Sequence, residues 1–262
     1  MTSWMKLASL ITLTGITACS SSPTGRNQIL LFSDQDMSQL GAQSFEQMKQ
    51  QQKISQDAKT NAYVQCVTNS ITQHIPKQGF DEWEVVVFES DQVNAFALPG
   101  GKIGVYTGLL KVAVNQDQLA TVIGHEIAHV IADHSNERLS QTQLANTGLS
   151  ITSVALGASE YAQYQGMTMA ALGLGVQYGV ILPYGRTQES EADIVGLRYM
   201  ADAGFDPNQS VNLWQNMAKA SGGNQPPELL STHPSHNTRI QDLRATITTL
   251  PQSNAQRPSC KI

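Results

Sequence analysis

Charged residues are scarce in this chain of 262 residues, and the basic ones are in the minority. Asp, Glu, Lys and Arg together make up 14% of the sequence, a proportion that is low for a cytosolic enzyme and common among exported proteins. The 16 Lys and Arg residues face 21 Asp and Glu residues, so the formal net charge is −5. Because a protein that holds nucleic acid needs a basic surface, this balance argues against a DNA- or RNA-binding function.

Long apolar runs, internal repeats and low-complexity tracts are absent from the sequence as well. Without apolar runs of about 20 residues, the chain has no series of membrane-spanning helices. Hydrophobic residues still account for 40% of the sequence, which is enough for a buried core, and the length suits one domain of ordinary size. We place that domain at residues 33–250.

The N-terminal residues have the composition of an export signal. Lys6 supplies a positive charge, and residues 7–16 form an apolar stretch that is too short to span a bilayer. An aliphatic residue, two small residues and Cys19 then resemble the bacterial lipobox. The resemblance implies that residues 1–18 are a signal peptide, cleaved before Cys19, and that this thiol is lipidated. The alternative is an ordinary signal peptide that happens to end near a cysteine.

The segment after the signal is expected to connect the domain to a membrane. Residues 19–32 are interpreted as the lipidated cysteine and a flexible tether, because three serines and Pro23 follow Cys19. In bacterial lipoproteins of this kind an Asp after the cysteine marks retention in the inner membrane, and here that residue is Ser20. The expected location is therefore the bacterial cell envelope, on the outer membrane and facing the periplasm.

Two further cysteines, Cys66 and Cys260, lie far apart in the sequence. An oxidising compartment would favour a disulfide between them, which would pin the C-terminal tail, residues 251–262, to an N-terminal helix. Two unpaired thiols are the alternative, because a sequence does not show which residues are close in space.

Periodicity, caps and turn residues predict an α+β fold that is mainly helical. Two helices come first, with Ser33 as the cap of the first and Pro76 ending the second. Three short strands follow, the last two joined by a turn at residues 99–101, and we predict that they form a small antiparallel β-sheet. The predicted helices span residues 33–53 and 57–75, and the strands span 83–88, 93–98 and 102–106.

The second half of the chain is predicted to be nearly all helix. A strongly amphipathic helix spans residues 117–134. Residues 137–182 carry only three charged side chains, and we interpret them as a buried or cleft-lining pair of helices. Further helices are predicted at 187–203, from Asp206 onward with Pro207 in its first turn, and at 235–248.

The helix at 117–134 contains the sequence His-Glu-Ile-Ala-His, residues 125–129. Two histidines four residues apart lie on one helix face, about 6 Å apart along the axis, so both imidazoles can reach one metal ion. Glu126 follows His125 directly and is therefore placed beside the metal, where it can take a proton from water. His125 and His129 are thus candidate ligands, and Glu126 is the candidate general base.

A catalytic zinc ion needs a third protein ligand and one open position. Glu189 and Asp193 share a face of a later helix, so one carboxylate could bind the metal while the other accepts the ring N–H of a ligand histidine. We assign Glu189 as the ligand and Asp193 as the partner of a histidine. Glu191 lies about 200° around the helix from Glu189 and is expected to point elsewhere.

The pairing of the HExxH helix with a downstream Glu189-x-x-x-Asp193 resembles the gluzincin pattern. More narrowly, it resembles the family of the CAAX prenyl proteases, the bacterial membrane heat-shock metalloproteases and their periplasmic lipoprotein relatives. The resemblance covers about residues 30–250 and implies a zincin-type peptidase domain that binds one Zn²⁺ per chain. The other motifs that carry it are residues 94–101, 105–110, 189–196 and 232–234 with Arg239 and Ile240.

The family resemblance implies a zinc-dependent endopeptidase that acts on unfolded or misassembled envelope proteins, as in protein quality control. His233 and Arg239 become candidates for the second donor to the oxyanion. An extended substrate could add to the strand at 93–98, so Asn94, Ala95 and Phe96 are the predicted substrate-binding residues. The expected partners are such polypeptides and, through the lipid anchor, a membrane. No oligomeric state is predicted.

A second hypothesis comes from another class of function. The chain could be a latched zinc-binding chaperone or assembly factor for outer-membrane proteins, with little proteolysis. In that case His233 would occupy the open position of the zinc ion. Glu126 separates the two hypotheses, because it is no ligand and only catalysis should depend on it.

Overall fold

Helices carry most of the residues in the computed structural model, which describes residues 19–80, 82–177, 181–220 and 236–261. The predicted α+β, mainly helical class is confirmed. The strands are β1 Cys19–Ser21, β2 Asn27–Ile29, β3 Glu84–Phe88, β4 Ala95–Leu98 and β5 Lys102–Tyr106. The helices are α1 Asp34–Gln51, α2 Ala58–Thr72, α3 Thr107–Leu110, α4 Gln116–Ile131, α5 His134–Gly157, α6 Gln165–Val176, α7 Leu182–Asp202, α8 Gln209–Ala220 and α9 His236–Thr249.

Local sequence signals account for the starts of the first two helices. The side chain of Ser33 accepts a hydrogen bond from the backbone of Asp36, and the Asp36 side chain accepts one from the Ser33 backbone, which is a capping box. Asp57 caps α2 by accepting bonds from the backbones of Lys59 and Thr60. Such side chains satisfy N–H groups that have no partner within the helix.

The sheet made of β3, β4 and β5 is mixed, and the prediction of an antiparallel sheet is wrong for one of its pairs. Strand β5 lies between the other two, antiparallel to β4 and parallel to β3. The tight turn at Gly100 and Gly101, both with positive φ, sets the antiparallel pair. Strand β4 runs opposite to β3, and β5 turns back to the direction of β3. Because β5 lies between β4 and β3 rather than beyond β4, it pairs with β3 in parallel.

Helix α4 is the centre of the core and packs against α2, α7, α8 and β4. Its apolar side chains Leu119, Ile123 and Ile127 are fully buried. The closest approach is to α7, where a Cβ atom built on Gly196 would lie 2.6 Å from the backbone nitrogen of His125. A Cβ on Gly124 would lie 2.8 Å from the carbonyl oxygen of Gly196. The two helices that carry the predicted ligands therefore cross in backbone contact.

The segment expected to be a flexible tether is an ordered hairpin in the described structure. Strands β1 and β2 pair in antiparallel fashion, and Ser22 and Gln28 are buried. The Gln28 side chain donates to the carbonyl oxygen of Ala132 over 2.6 Å, and the Leu31 backbone donates to Ser140 Oγ over 2.8 Å. The hairpin is therefore attached to the end of α4 and to α5.

The helix pair expected to be buried or cleft-lining lies mostly on the surface. Only the first two turns of α5 contain buried side chains, and α6 has none among its described residues. Val154 and Met167 are 74% and 70% exposed. No helix among the described residues combines the length and the apolar character needed to cross a membrane.

A disulfide joins Cys66 in α2 to Cys260 in the C-terminal tail, with 5.7 Å between the Cα atoms. The two residues are 194 positions apart, so the bond closes a loop that includes most of the domain. We expect the Cys66→Ala, Cys260→Ala double variant to lose about 2–5 kcal/mol of unfolding free energy, because its unfolded chain is no longer constrained. Urea unfolding with the reduced wild type as a control measures this, and equal midpoints for all three proteins would contradict it.

Candidate metal centre

Helix α4 presents the two histidines of the HExxH motif one turn apart. Asn115 caps the helix by accepting a bond from the Gln118 backbone, which fixes where the helical register begins. The Nε2 atoms of His125 and His129 are 3.1 Å apart, and each side chain is 13% exposed. Both imidazoles therefore meet at one point near the surface of the core, as the spacing predicts.

Helix α7 adds a carboxylate to the same point. Glu189 Oε2 lies 3.4 Å from His125 Nε2, and Glu189 Oε1 lies 3.4 Å from His129 Nε2. Two ligands placed tetrahedrally at about 2.1 Å from a zinc ion are separated by about 3.4 Å. The three side chains therefore form one face of a tetrahedron of the size that zinc requires. Two imidazoles and one carboxylate are also a donor set that suits this metal.

Asp193 stands behind His125 and orients its ring. Its Oδ1 lies 3.0 Å from His125 Nδ1, so an N–H at that position donates to the carboxylate and leaves the Nε2 lone pair for a metal. Burial acts to raise the pKa of Asp193, but the charge of Arg239 and the bond with His125 outweigh it and lower that pKa. Asp193 therefore remains a carboxylate, as an acceptor must.

Arg239 supports this carboxylate and takes no position in the cleft. Its Nε donates to Asp193 Oδ2 over 2.8 Å, its Nη2 donates to Asp193 Oδ1, and its Nη1 lies 3.4 Å from Glu189 Oε2. The guanidinium also covers the ring of Trp214 at 3.8 Å, and the residue is 4% exposed. These contacts bind the guanidinium behind the ligands, so its expected role as an oxyanion donor is corrected to that of a support for Asp193 and Glu189.

Glu126 is half-buried and makes no hydrogen bond or ion pair with any residue that the structure describes. Within the part of the chain that the structure describes, its carboxylate therefore has no structural role. The other predicted catalytic residue, His233, lies outside the described residues.

The predicted substrate-binding residues belong to or precede an edge strand. Among the described residues, strand β4 has β5 on one side and no further strand of this sheet on the other. The carbonyl oxygen of Asn94 accepts from the backbone of Tyr106, and Ala95 is buried. The Phe96 ring packs with Phe45, Phe88 and Tyr106, so its side chain belongs to an aromatic cluster. Because hydrogen-bonded and non-hydrogen-bonded pairs alternate along an antiparallel ladder, the backbone of Phe96 faces β5 and that of Ala95 faces the free edge.

A cavity of about 90 Å³ opens beside His129. Its walls come from the turn before β5, the start of α1 and the junction of α4 and α5, and they include Pro99, Asp34 and Asp133. Asp133 has a positive φ of 52°, and burial together with the charge of Asp34 raises its pKa to about 6. The cavity is thus polar on one side and lies next to the proposed metal position.

Sequence reasoning missed a buried network behind the second histidine. His134 Nδ1 lies 2.8 Å from His129 Nδ1, and His134 Nε2 lies 3.1 Å from Glu191 Oε2. Glu191 does point away from the metal position, as expected, but it holds His134 and contacts Arg26. The sequence signal that could have revealed this network is His134, a histidine five residues after the motif and just beyond the end of α4.

Comparison with known proteins places these residues in a family. Residues 58–247, which include every proposed metal ligand, match the sequence pattern of Peptidase family M48. The chain is 34% identical to mitochondrial metalloendopeptidase OMA1 of Schizosaccharomyces pombe, over 67% of this chain and 49% of that protein. It is 33% identical to metalloendopeptidase OMA1, mitochondrial, of Bos taurus, over 90% of this chain and 47% of that protein.

A bacterial relative is also similar. The chain is 33% identical to the beta-barrel assembly-enhancing protease of Yersinia pestis, over 59% of this chain and 32% of that protein. The chain thus spans about half the length of the mitochondrial relatives and about a third of the bacterial one. The match to the family pattern covers well over half of the chain and confirms the resemblance inferred from its motifs. The chain belongs to peptidase family M48.

Proposed function

We propose that this chain is a zinc-dependent metalloendopeptidase that cleaves unfolded or misassembled polypeptides in the bacterial cell envelope. The observation that carries the proposal is the triangle of ligand atoms from His125, His129 and Glu189, with 3.1–3.4 Å between them. Glu126 directly follows His125 in α4 and has no structural partner among the described residues.

The chain's own residues would divide the chemistry among them. A bound zinc ion would polarise the scissile carbonyl and bring the pKa of a water molecule to about 7. Glu126 would take a proton from the attacking water and deliver it to the leaving nitrogen. Asp193 keeps the Nδ1 proton of His125 in place and thereby directs the other ring nitrogen at the metal.

The edge of β4 is the surface that we propose for the substrate backbone. A peptide that pairs with an edge strand forms backbone hydrogen bonds, which give affinity with little dependence on sequence. The cavity beside His129 is in position to receive one side chain of such a peptide. Only an extended chain can pair in this way, which favours unfolded substrates over folded ones.

Quality control in the envelope is the setting that we propose. The name of the Yersinia pestis relative refers to β-barrel assembly, and β-barrel proteins occupy outer membranes. Lipidation of Cys19, followed by Ser20, would place the domain on the outer membrane with its cleft in the periplasm. The described hairpin begins at Cys19, so a lipid there would keep the domain close to the bilayer.

Metal removal and a folded–unfolded substrate pair test the proposal. The mature chain from residue 20 should cleave reduced, alkylated ribonuclease and spare the native, disulfide-bonded form. A chelator should lower this activity by at least about 100-fold, since the metal supplies both the polarised carbonyl and the acidified water. One equivalent of zinc should restore it.

Two outcomes would oppose the proposal. Cleavage of a native protein at one site, with the alkylated form ignored, would contradict the quality-control role. A zinc-loaded chain that cleaves neither form would favour the zinc-binding chaperone or assembly factor.

A further inference from the structure

His134 lies at the start of α5 and is completely buried. It touches a proposed zinc ligand on one side and a carboxylate on the other, since its Nδ1 is 2.8 Å from His129 Nδ1 and its Nε2 is 3.1 Å from Glu191 Oε2. Only one arrangement of protons fits these contacts when His129 Nε2 faces a metal. His129 Nδ1–H donates to His134 Nδ1, and His134 Nε2–H donates to Glu191.

The two ligand histidines are therefore held in comparable ways. The acceptor behind His125 is the carboxylate of Asp193, in direct contact. The acceptor behind His129 is the His134 ring, whose own orientation depends on the carboxylate of Glu191. An imidazole can accept at one nitrogen only while its other nitrogen carries the proton, so Glu191 determines which His134 nitrogen faces His129.

Glu191 is 3% exposed and is held by the N-terminal hairpin. Its Oε1 accepts from the hydroxyl of Thr24 over 2.6 Å and from the Thr24 backbone over 3.2 Å. Its Oε2 accepts from Arg26 Nε over 3.1 Å and from Arg26 Nη2 over 2.9 Å. The same guanidinium forms two bonds with Glu137, a second buried carboxylate. Arg26 thus places a positive charge between two buried negative charges.

Thr24 and Arg26 lie in the turn that joins β1 to β2, with Gly25 between them at a positive φ of 84°. They are 167 and 165 residues away from Glu191 in the sequence. They also lie outside residues 58–247, the part of the chain that matches the family pattern. The network behind His129 is therefore completed by a segment that the matched region does not include.

We infer that the N-terminal hairpin is part of the metal centre, and that Thr24 and Arg26 position the zinc ligand His129 through Glu191 and His134. The inference rests on the metal site of the proposed function but concerns zinc affinity, which is measurable without any cleavage. His134 is a positioning residue, since it acts on the metal only through His129. Partners of this kind contribute about 10–100-fold to metal affinity.

The first test replaces His134 in the mature chain and measures zinc affinity by competition with a fluorescent chelator. His134→Phe keeps a ring but has no acceptor, and its zinc affinity should fall by about 10–100-fold. His134→Gln keeps one acceptor and one donor, so it should recover most of the loss. Cobalt substituted for zinc should show a shifted visible absorption band in the Phe variant and a normal band in the Gln variant. Equal affinities and spectra for wild type and a folded Phe variant would overturn the inference.

The second test separates the hairpin from a general loss of stability. Arg26→Met removes the cation beside Glu191, and Arg257→Met is its matched control. Arg257 pairs with Asp117. The side chains of Asp117 and Glu191 are both 3% exposed, but Asp117 lies in the first turn of α4, at the opposite end of that helix from His129. Both variants should be less stable than wild type, but only Arg26→Met should bind zinc at least about fivefold more weakly.

Thr24→Val provides a milder change in case the Arg26 variant does not fold. It removes the hydroxyl that donates to Glu191, and Thr68→Val removes a buried hydroxyl that bonds only within α2. Zinc affinity should fall in the first and stay unchanged in the second. Weaker zinc binding in His134→Phe together with wild-type affinity in both hairpin variants would overturn the role of the hairpin. A wild type that binds zinc but cleaves nothing would refute the proposed function and leave this inference intact.

Discussion

Replacement of Glu126 by Gln should abolish cleavage of unfolded protein while zinc stays bound with wild-type affinity. The amide has the shape of the carboxylate but cannot accept a proton from water. General acid–base catalysis contributes about 10²–10⁴-fold, so kcat/KM should fall by that factor. Because Glu126 is not one of the three grouped ligands, the zinc content should not change.

The measurement is casein cleavage alongside zinc content for both proteins. Glu89→Gln is a suitable control, since it makes the same chemical change in an exposed pair with Lys53. If the Glu126 variant keeps more than a tenth of the activity, another group is the base. If both proteins bind zinc and neither cleaves, the result favours the latched zinc-binding chaperone or assembly factor. His233→Ala is then the next variant to test. Unchanged zinc binding and turnover in that variant would remove His233 from the site.

Replacement of Arg239 by Met should cost about 3–5 kcal/mol of unfolding free energy in the presence of a chelator. The guanidinium is the cation that contacts both Asp193 and Glu189, and all three residues are less than a tenth exposed. Removing it leaves two buried carboxylates without that compensation. The variant also loses the cation–π contact with Trp214.

Zinc should repair part of this loss, because the metal brings positive charge to the same carboxylates. The stabilisation by zinc should therefore be larger in the variant than in the wild type, as measured by urea unfolding with and without the metal. Arg244→Met, an exposed position on the same helix, is the control and should change little. A loss below about 1 kcal/mol with chelator present would show that Arg239 is not the main support of these carboxylates.

Local spacing was sufficient to predict which side chains of the candidate metal centre share a helix face. His125 and His129 share a helix face, and Glu189 and Asp193 share another, because the helical repeat makes residues four apart neighbours. The caps at Ser33 and Asp57 follow from equally local rules. Each of these inferences needs only residues within one or two turns of one another.

Three of the features that sequence reasoning missed depend on contacts between distant segments. The parallel pairing of β3 with β5 depends on which strand lies between the others, and no turn residue reports that order. The contact of Arg26 with Glu191 spans 165 residues. The family resemblance made Arg239 a candidate for the cleft, but its place behind Asp193 depends on how α9 packs against α7.

The close crossing of α4 and α7 at Gly124 and Gly196 makes the candidate metal centre sensitive to substitution of either glycine. Each helix supplies part of the proposed ligand set, so the spacing of the two backbones also sets the distance between the histidines and Glu189. A single methyl group at either glycine would act as a spacer that separates the ligands. These two glycines thus determine the distance between the ligand atoms of α4 and those of α7. A shift of a few tenths of an ångström, which the rest of the core could accommodate, would weaken metal binding.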